Sequence, residues 1–143
     1  MTSSPPVAPR TPSFLRPALS LLAGLGIFVV VIVLGTIVVF LSATGSDLRS
    51  PGMPLLAAQL VLNAVGAMAA GFATGRMTVG RSSYTLVLLA LILSMSSLVP
   101  VIRESGSPGE PRWYLLTRPA VILVGILVGG ALERRKQHAA ARA

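Results

Sequence analysis

Four long apolar runs dominate the chain, separated by short segments where Pro, Gly, Ser and charged residues gather. They extend from Ala18 to Leu41, Met53 to Gly75, Tyr84 to Ile102 and Trp113 to Leu132. Each is too long for a strand, so each predicts a helix. At 1.5 Å per residue the first run measures roughly 36 Å, more than the hydrocarbon thickness of about 30 Å. Seventeen of its residues are Leu, Ile, Val or Phe. At about 0.3–0.6 kcal/mol each they favour insertion by roughly 5–10 kcal/mol, an upper bound because helix ends weigh less than the centre. Pro17 stands just before this run, where a first helical turn has no use for its missing N–H.

The other runs carry more polarity. The second is rich in Ala and Gly and holds two amides, Gln59 and Asn63. The third contains Ser94, Ser96 and Ser97, with Pro100 near its end. The fourth contains Arg118 and Pro119. A helix beginning only at Pro119 would span about 21 Å, too short for the hydrocarbon core. A start near Pro111 gives a full span and places Arg118 roughly two turns inside it.

The expected fold is therefore an all-α integral membrane four-helix transmembrane bundle, with helices at about 18–41, 53–75, 84–102 and 113–132. This transmembrane domain, 17–132, is flanked by a Pro-rich segment, 1–16, whose composition predicts disorder, and by a basic tail, 133–143. A secretory signal is the rival reading of the first run, with Arg10 and Arg16 ahead of it and Leu41-Ser42-Ala43 as a weak cleavage site. The apolar core of such signals is about 7–15 residues, far shorter than this run.

Composition narrows the function. Of 143 residues, 53% are hydrophobic and 11% charged, against roughly 25% charged in a soluble domain. Mean hydropathy is +0.80. Soluble enzyme, disordered chain and disulfide scaffold all fit poorly. There is no cysteine, and the single histidine, His138, lies in the basic tail. The sequence has no Ser/His/Asp set, metal-ligand cluster, P-loop or dinucleotide fingerprint. Neither an enzyme nor a cofactor is expected. No Asp or Glu falls within the four runs, which argues against small multidrug exporters, proteins of similar size that depend on a membrane-embedded glutamate.

The net charge of +8 does not imply nucleic acid, because the basic residues sit between apolar runs rather than among aromatics on one face. They follow the positive-inside rule instead. One side receives Arg10, Arg16, Arg76, Arg81, Arg134, Arg135, Lys136 and Arg142. The other receives Arg49, Arg103, Arg112 and Arg118, together with Asp47, Glu104 and Glu110. Four crossings with both termini cytoplasmic satisfy the rule throughout. Trp113 and Tyr114 are expected at the outer interface and Tyr84 at the inner one.

Gln59, Asn63, Ala67, Gly71 and Gly75 are spaced by four, so they form one ridge of a helix. Gly71 and Gly75 make a GxxxG, Gly66 with Ala70 adds a neighbouring small pair, and Gly125 with Gly129 makes a second GxxxG, reinforced by Gly130. Lipid provides no hydrophobic drive between helices, so close approach at small residues must supply the packing. Two readings stand: the ridges hold the bundle together, or they dock a second copy or a membrane partner. Gln59 and Asn63 likewise read as interhelical hydrogen bonds, to Ser94, Ser97 or Thr36, or as a polar lining for a small solute. Arg118 reads as a snorkelling anchor paired with Glu110, Glu104 or Asp47, or as a site for an anion or lipid headgroup. Pro100 and Pro119 are expected to kink or end their helices.

A valine-rich first span, an Ala/Gly-rich second span ending in AAGFATGRM (69–77), the PRWY entry (111–114), Pro119 and the Gly129-Gly130 exit resemble a loose group of small, uncharacterised four-span bacterial inner-membrane proteins. The resemblance covers roughly Pro17 to Leu132. It implies a bacterial plasma membrane and brings no activity with it. The function expected is a non-enzymatic structural or accessory subunit, or a homo-oligomer, acting through helix contacts in the lipid bilayer. The alternative is a minimal transporter or channel formed by an oligomer.

Overall fold

The structure, a computed structural model, describes residues 15–42, 52–78, 83–102, 111–140 and 142. Among them it is all-helical, with α1 at Leu15–Ser42, α2 at Met53–Met77, α3 at Ser83–Ile102 and α4 at Arg112–Ala140. Residues 1–14 of the segment expected to be disordered, and the loops carrying Asp47, Glu104 and Glu110, lie outside the described residues, while Leu15 and Arg16, expected in that segment, form the start of α1.

Local chemistry explains the helix ends. Pro17 lies in the first turn of α1, where its ring breaks no intrahelical bond. Pro54 opens α2 behind an extended Gly52, whose carbonyl accepts from Leu55 and Leu56 N–H at 3.0 and 3.2 Å. At the other end Thr78 donates both its N–H and its hydroxyl to the Thr74 carbonyl, at 3.1 and 2.8 Å. The Pro111 carbonyl starts α4 by accepting from Tyr114 N–H at 2.9 Å. Pro119 neither ends nor replaces that helix: it is buried inside α4. Several hydroxyls within the helices donate back one turn, as Ser20 does to Pro17, Ser96 to Leu93 and Thr117 to Trp113.

The contacts define the topology. Gly24 of α1 lies against Thr74 and Ala70 of α2, and Gly35 against Leu62, so α1 and α2 are antiparallel. Leu86 of α3 reaches Gly130 of α4, and Ser94 reaches Pro119, so that pair is antiparallel too. Gly71 faces Ile126, and Gly75 faces Gly130 and Glu133, so α2 and α4 run parallel. The starts of α1 and α3 and the ends of α2 and α4 thus share one end of the bundle. Around it the order is α1, α2, α4, α3. Packing is most extensive between α2 and α4, and α1 and α4 do not touch among the described residues.

The core joins Ala67 and Ala70 of α2, Leu86, Leu89, Ala90 and Leu93 of α3, and Ile122 and Ile126 of α4. From α1 only partly buried Leu21 and Phe28 reach it. Ser20 and Gly24 are the buried residues of α1, while Val29, Val30, Val33, Leu34, Ile37, Val38 and Phe40 are all exposed.

Three helices, α1, α2 and α4, are long and apolar enough to cross a membrane. The expectation of four spans is met less fully by α3, whose apolar stretch, Tyr84–Val99, is shorter. A second difference concerns the end of α4. The basic tail expected from Glu133 onward continues the helix to Ala140. Nothing in GALERRKQHAA breaks a helix, since charge ends an apolar run without ending helical geometry.

Candidate functional site

The ridge on α2 meets the glycines of α4 within the same chain. A Cβ placed on Gly71 would strike the Ile126 backbone, and one on Gly129 the Met68 backbone. Each helix therefore sets a glycine against a main-chain carbonyl of the other, an approach at which weak Cα–H···O contacts form. A Cβ on Gly125 would come within 2.7 Å of the Ala67 methyl and 3.1 Å of the Ala64 carbonyl. Gly75 is different: a methyl there would sit 3.5 Å from Glu133 Cβ and Gly130 Cα, an ordinary contact. Close packing thus concentrates at Gly71, Gly125 and Gly129, with Ala67 between them.

The close approaches at Gly24 and Gly35 of α1 were not singled out from the sequence. Gly24 admits Thr74 Oγ1 and Leu89 Cδ2, which joins α1 to both α2 and α3. Thr74, fully buried, donates to the Ser20 carbonyl at 3.3 Å. A small residue inside a Leu-rich run was the available signal, but alone it does not say which neighbour comes near.

The polar residues sort differently from expectation. Asn63, only 1% exposed, donates from Nδ2 to the Gln59 carbonyl of its own helix at 2.7 Å. It does not reach Ser94, Ser97 or Thr36. Its Oδ1 is buried without a hydrogen-bond partner, which costs about 1–3 kcal/mol. Ser94 instead crosses to α4 and donates to the Pro119 carbonyl at 3.0 Å, while Ser97 donates to the Ser94 carbonyl at 2.7 Å. Gln59 is half-buried one turn before Asn63.

Arg118 is half-buried, and its Nε has no hydrogen-bond partner. The parallel register, carried back from Ala67 and Gly125, sets Asn63 opposite the turn from Arg118 to Ile122. An orphaned acceptor and an orphaned donor thus lie at about the same level of the α2–α4 seam. The expected aromatic belt is split. Trp113 is exposed, whereas Tyr114, at 6.0 Å and 86° to it, is fully buried. Tyr84 is exposed.

At the opposite end, where α2 and α4 finish together, Phe72, Arg76, Glu133, Lys136, Gln137 and Ala140 line a shallow cleft of about 240 Å³. Glu133 is 6% exposed. Its Oε1 accepts from Gln137 Nε2 at 3.2 Å, and its Oε2 is buried with no hydrogen-bond partner. Glu133 belongs to the segment expected as a basic tail, and the continuation of α4 to Ala140 is what holds it against α2. Among the described residues no three His, Cys, Asp or Glu side chains converge as metal ligands would.

No family model matches the chain, and neither a curated protein nor a solved structure does.

Proposed function

We propose that this chain is a non-enzymatic integral membrane protein of four crossings, with both termini cytoplasmic, in a bacterial plasma membrane. It acts through helix contacts, as a small structural or accessory subunit or as a homo-oligomer. The observation that carries the reading is the α2–α4 seam, in which Gly71 and Gly129 each lie on the other helix's backbone. Such contacts make a rigid scaffold and offer no reactive group. The seam occupies both GxxxG ridges within one chain, so docking to a partner falls to other faces, chiefly the exposed apolar surface of α1.

The charge distribution supports the orientation. Arg16, Arg76, Arg134, Arg135, Lys136 and Arg142 belong to the end shared by the start of α1 and the end of α4, and Arg112 and Arg118 to the other. The burial of Asn63 favours a packing role over a solute path, because a lining amide needs exposure to water. The cleft described above, between the ends of α2 and α4, is not lined by Asn63.

Native mass spectrometry from a gentle detergent tests the proposal. A fixed stoichiometry, with itself or with a co-purifying membrane protein, is expected, and it should be lost in Gly71→Leu. A monodisperse monomer that conducts small solutes in liposomes, and stops doing so on Asn63→Leu, would overturn it in favour of transport.

A further inference from the structure

We propose that the cleft between the ends of α2 and α4 binds the headgroup of an aminophospholipid, its phosphate held by Arg76 and Lys136 and its ammonium by Glu133. The inference rests on the membrane reading above and adds a ligand to it. Glu133 is the starting observation. It faces Gly75 of α2, where an added Cβ would stand 3.5 Å from Glu133 Cβ. There it is almost wholly buried, with one carboxylate oxygen engaged by Gln137 and the other facing no donor. Arg76 and Lys136 line the same cleft, yet neither hydrogen-bonds to that oxygen.

A buried acceptor beside two cations has a defined complement. It wants a compact group that presents N–H donors at one point and anionic oxygens at another. A primary ammonium supplies the donors, and a phosphodiester suits a guanidinium fork and a lysine. Phosphatidylethanolamine carries both on one short headgroup. A purely anionic lipid would leave Glu133 facing a second negative charge, and a choline headgroup has no N–H to give.

Size and position agree. The cleft of about 240 Å³ has room for roughly eight waters at about 30 Å³ each, the scale of a lipid headgroup. Phe72 adds an apolar flank. The apolar run of α4 stops at Leu132, so the cleft lies where hydrocarbon gives way to headgroups.

The test uses the full chain in lipid nanodiscs, with native mass spectrometry counting retained lipids. Wild-type protein is offered phosphatidylethanolamine, its monomethyl and dimethyl derivatives, phosphatidylcholine and phosphatidylglycerol. Retention should fall along the methylation series, by on the order of tenfold from end to end. Glu133→Gln should flatten the series, while Arg76→Ala and Lys136→Ala lower retention of every phospholipid. A flat series in the wild-type protein overturns the site without any variant having to fold, as does a preference for phosphatidylglycerol or a steep series unchanged by Glu133→Gln. Recovery of the chain in the soluble fraction without detergent overturns the membrane reading itself, whereas a membrane-embedded chain with a flat series overturns the lipid site alone.

Discussion

Helix α1 and the α2–α4 seam invert the relation between hydrophobicity and burial known from water-soluble proteins. The greasiest helix is the least buried, with only Ser20 and Gly24 inside. The seam is built of Gly71, Gly125, Gly129 and Ala67, which have little or no side chain to bury. In water, Leu and Val go inside because leaving water is favourable. In lipid that drive is absent, and what counts is how closely two backbones can approach. Smallness rather than hydropathy then decides where α2 meets α4, while larger residues such as Leu89 and Ile126 fill the core beside that seam.

Substitutions can break this contrast. The largest effect is expected at Gly129→Leu, which forces four carbons onto the Met68 backbone. It should remove more than the roughly 1–3 kcal/mol typical of overpacking and scatter the protein across oligomeric sizes in detergent. Val30→Leu, on the exposed surface of α1, should stay within about 0.5 kcal/mol. Equal unfolding midpoints for these two would remove the distinction between the regions.

A finer comparison lies inside one motif. Gly71→Ala meets backbone and should destabilise by about 1–3 kcal/mol, while Gly75→Ala has ordinary space and should be neutral or gain up to about 1 kcal/mol from helix propensity. Thermal unfolding followed by circular dichroism separates the pair. If both behave alike, the GxxxG acts as a symmetric unit and the close approach at Gly71 is not the governing contact. Ser94→Ala should lose about 0.6 kcal/mol, with an upper limit near 1.7, through its bond to the Pro119 carbonyl. Asn63→Leu should change stability by less than about 1 kcal/mol in either direction, because it deletes an orphaned acceptor along with one local bond. A loss above about 2 kcal/mol would show that Asn63 Oδ1 has a partner in the membrane.

Much of the helical layout could be read from the chain. Runs of this length and hydropathy have few ways to satisfy their backbone except as helices. The four-residue spacing from Gln59 to Gly75 located the face of α2 that turns inward. Other features were hidden for physical reasons. Spacing identifies a ridge but not its partner, so nothing in Gly71 or Gly129 chose between a second copy and α4. Asn63 bonding to its own helix could not be told from bonding across, since the nearest carbonyl always competes. The burial of Glu133 is not legible because the end of an apolar run does not mark the end of its helix, and α4 continues past Leu132 to hold this acid against α2.

The parallel pairing of α2 with α4 also sets a schedule. A polypeptide grows from its N-terminus, and the residues that receive Gly71 lie roughly 55 positions downstream. At about 5–20 residues per second, α2 waits on the order of 3–11 s for its mate to be translated. During that interval α1 and α2 can already meet through Gly24, but the tightest joint in the molecule does not yet exist. The α2–α4 seam therefore waits on the synthesis of α4, and a nascent chain stalled before Ile126 would lack the residue that receives Gly71.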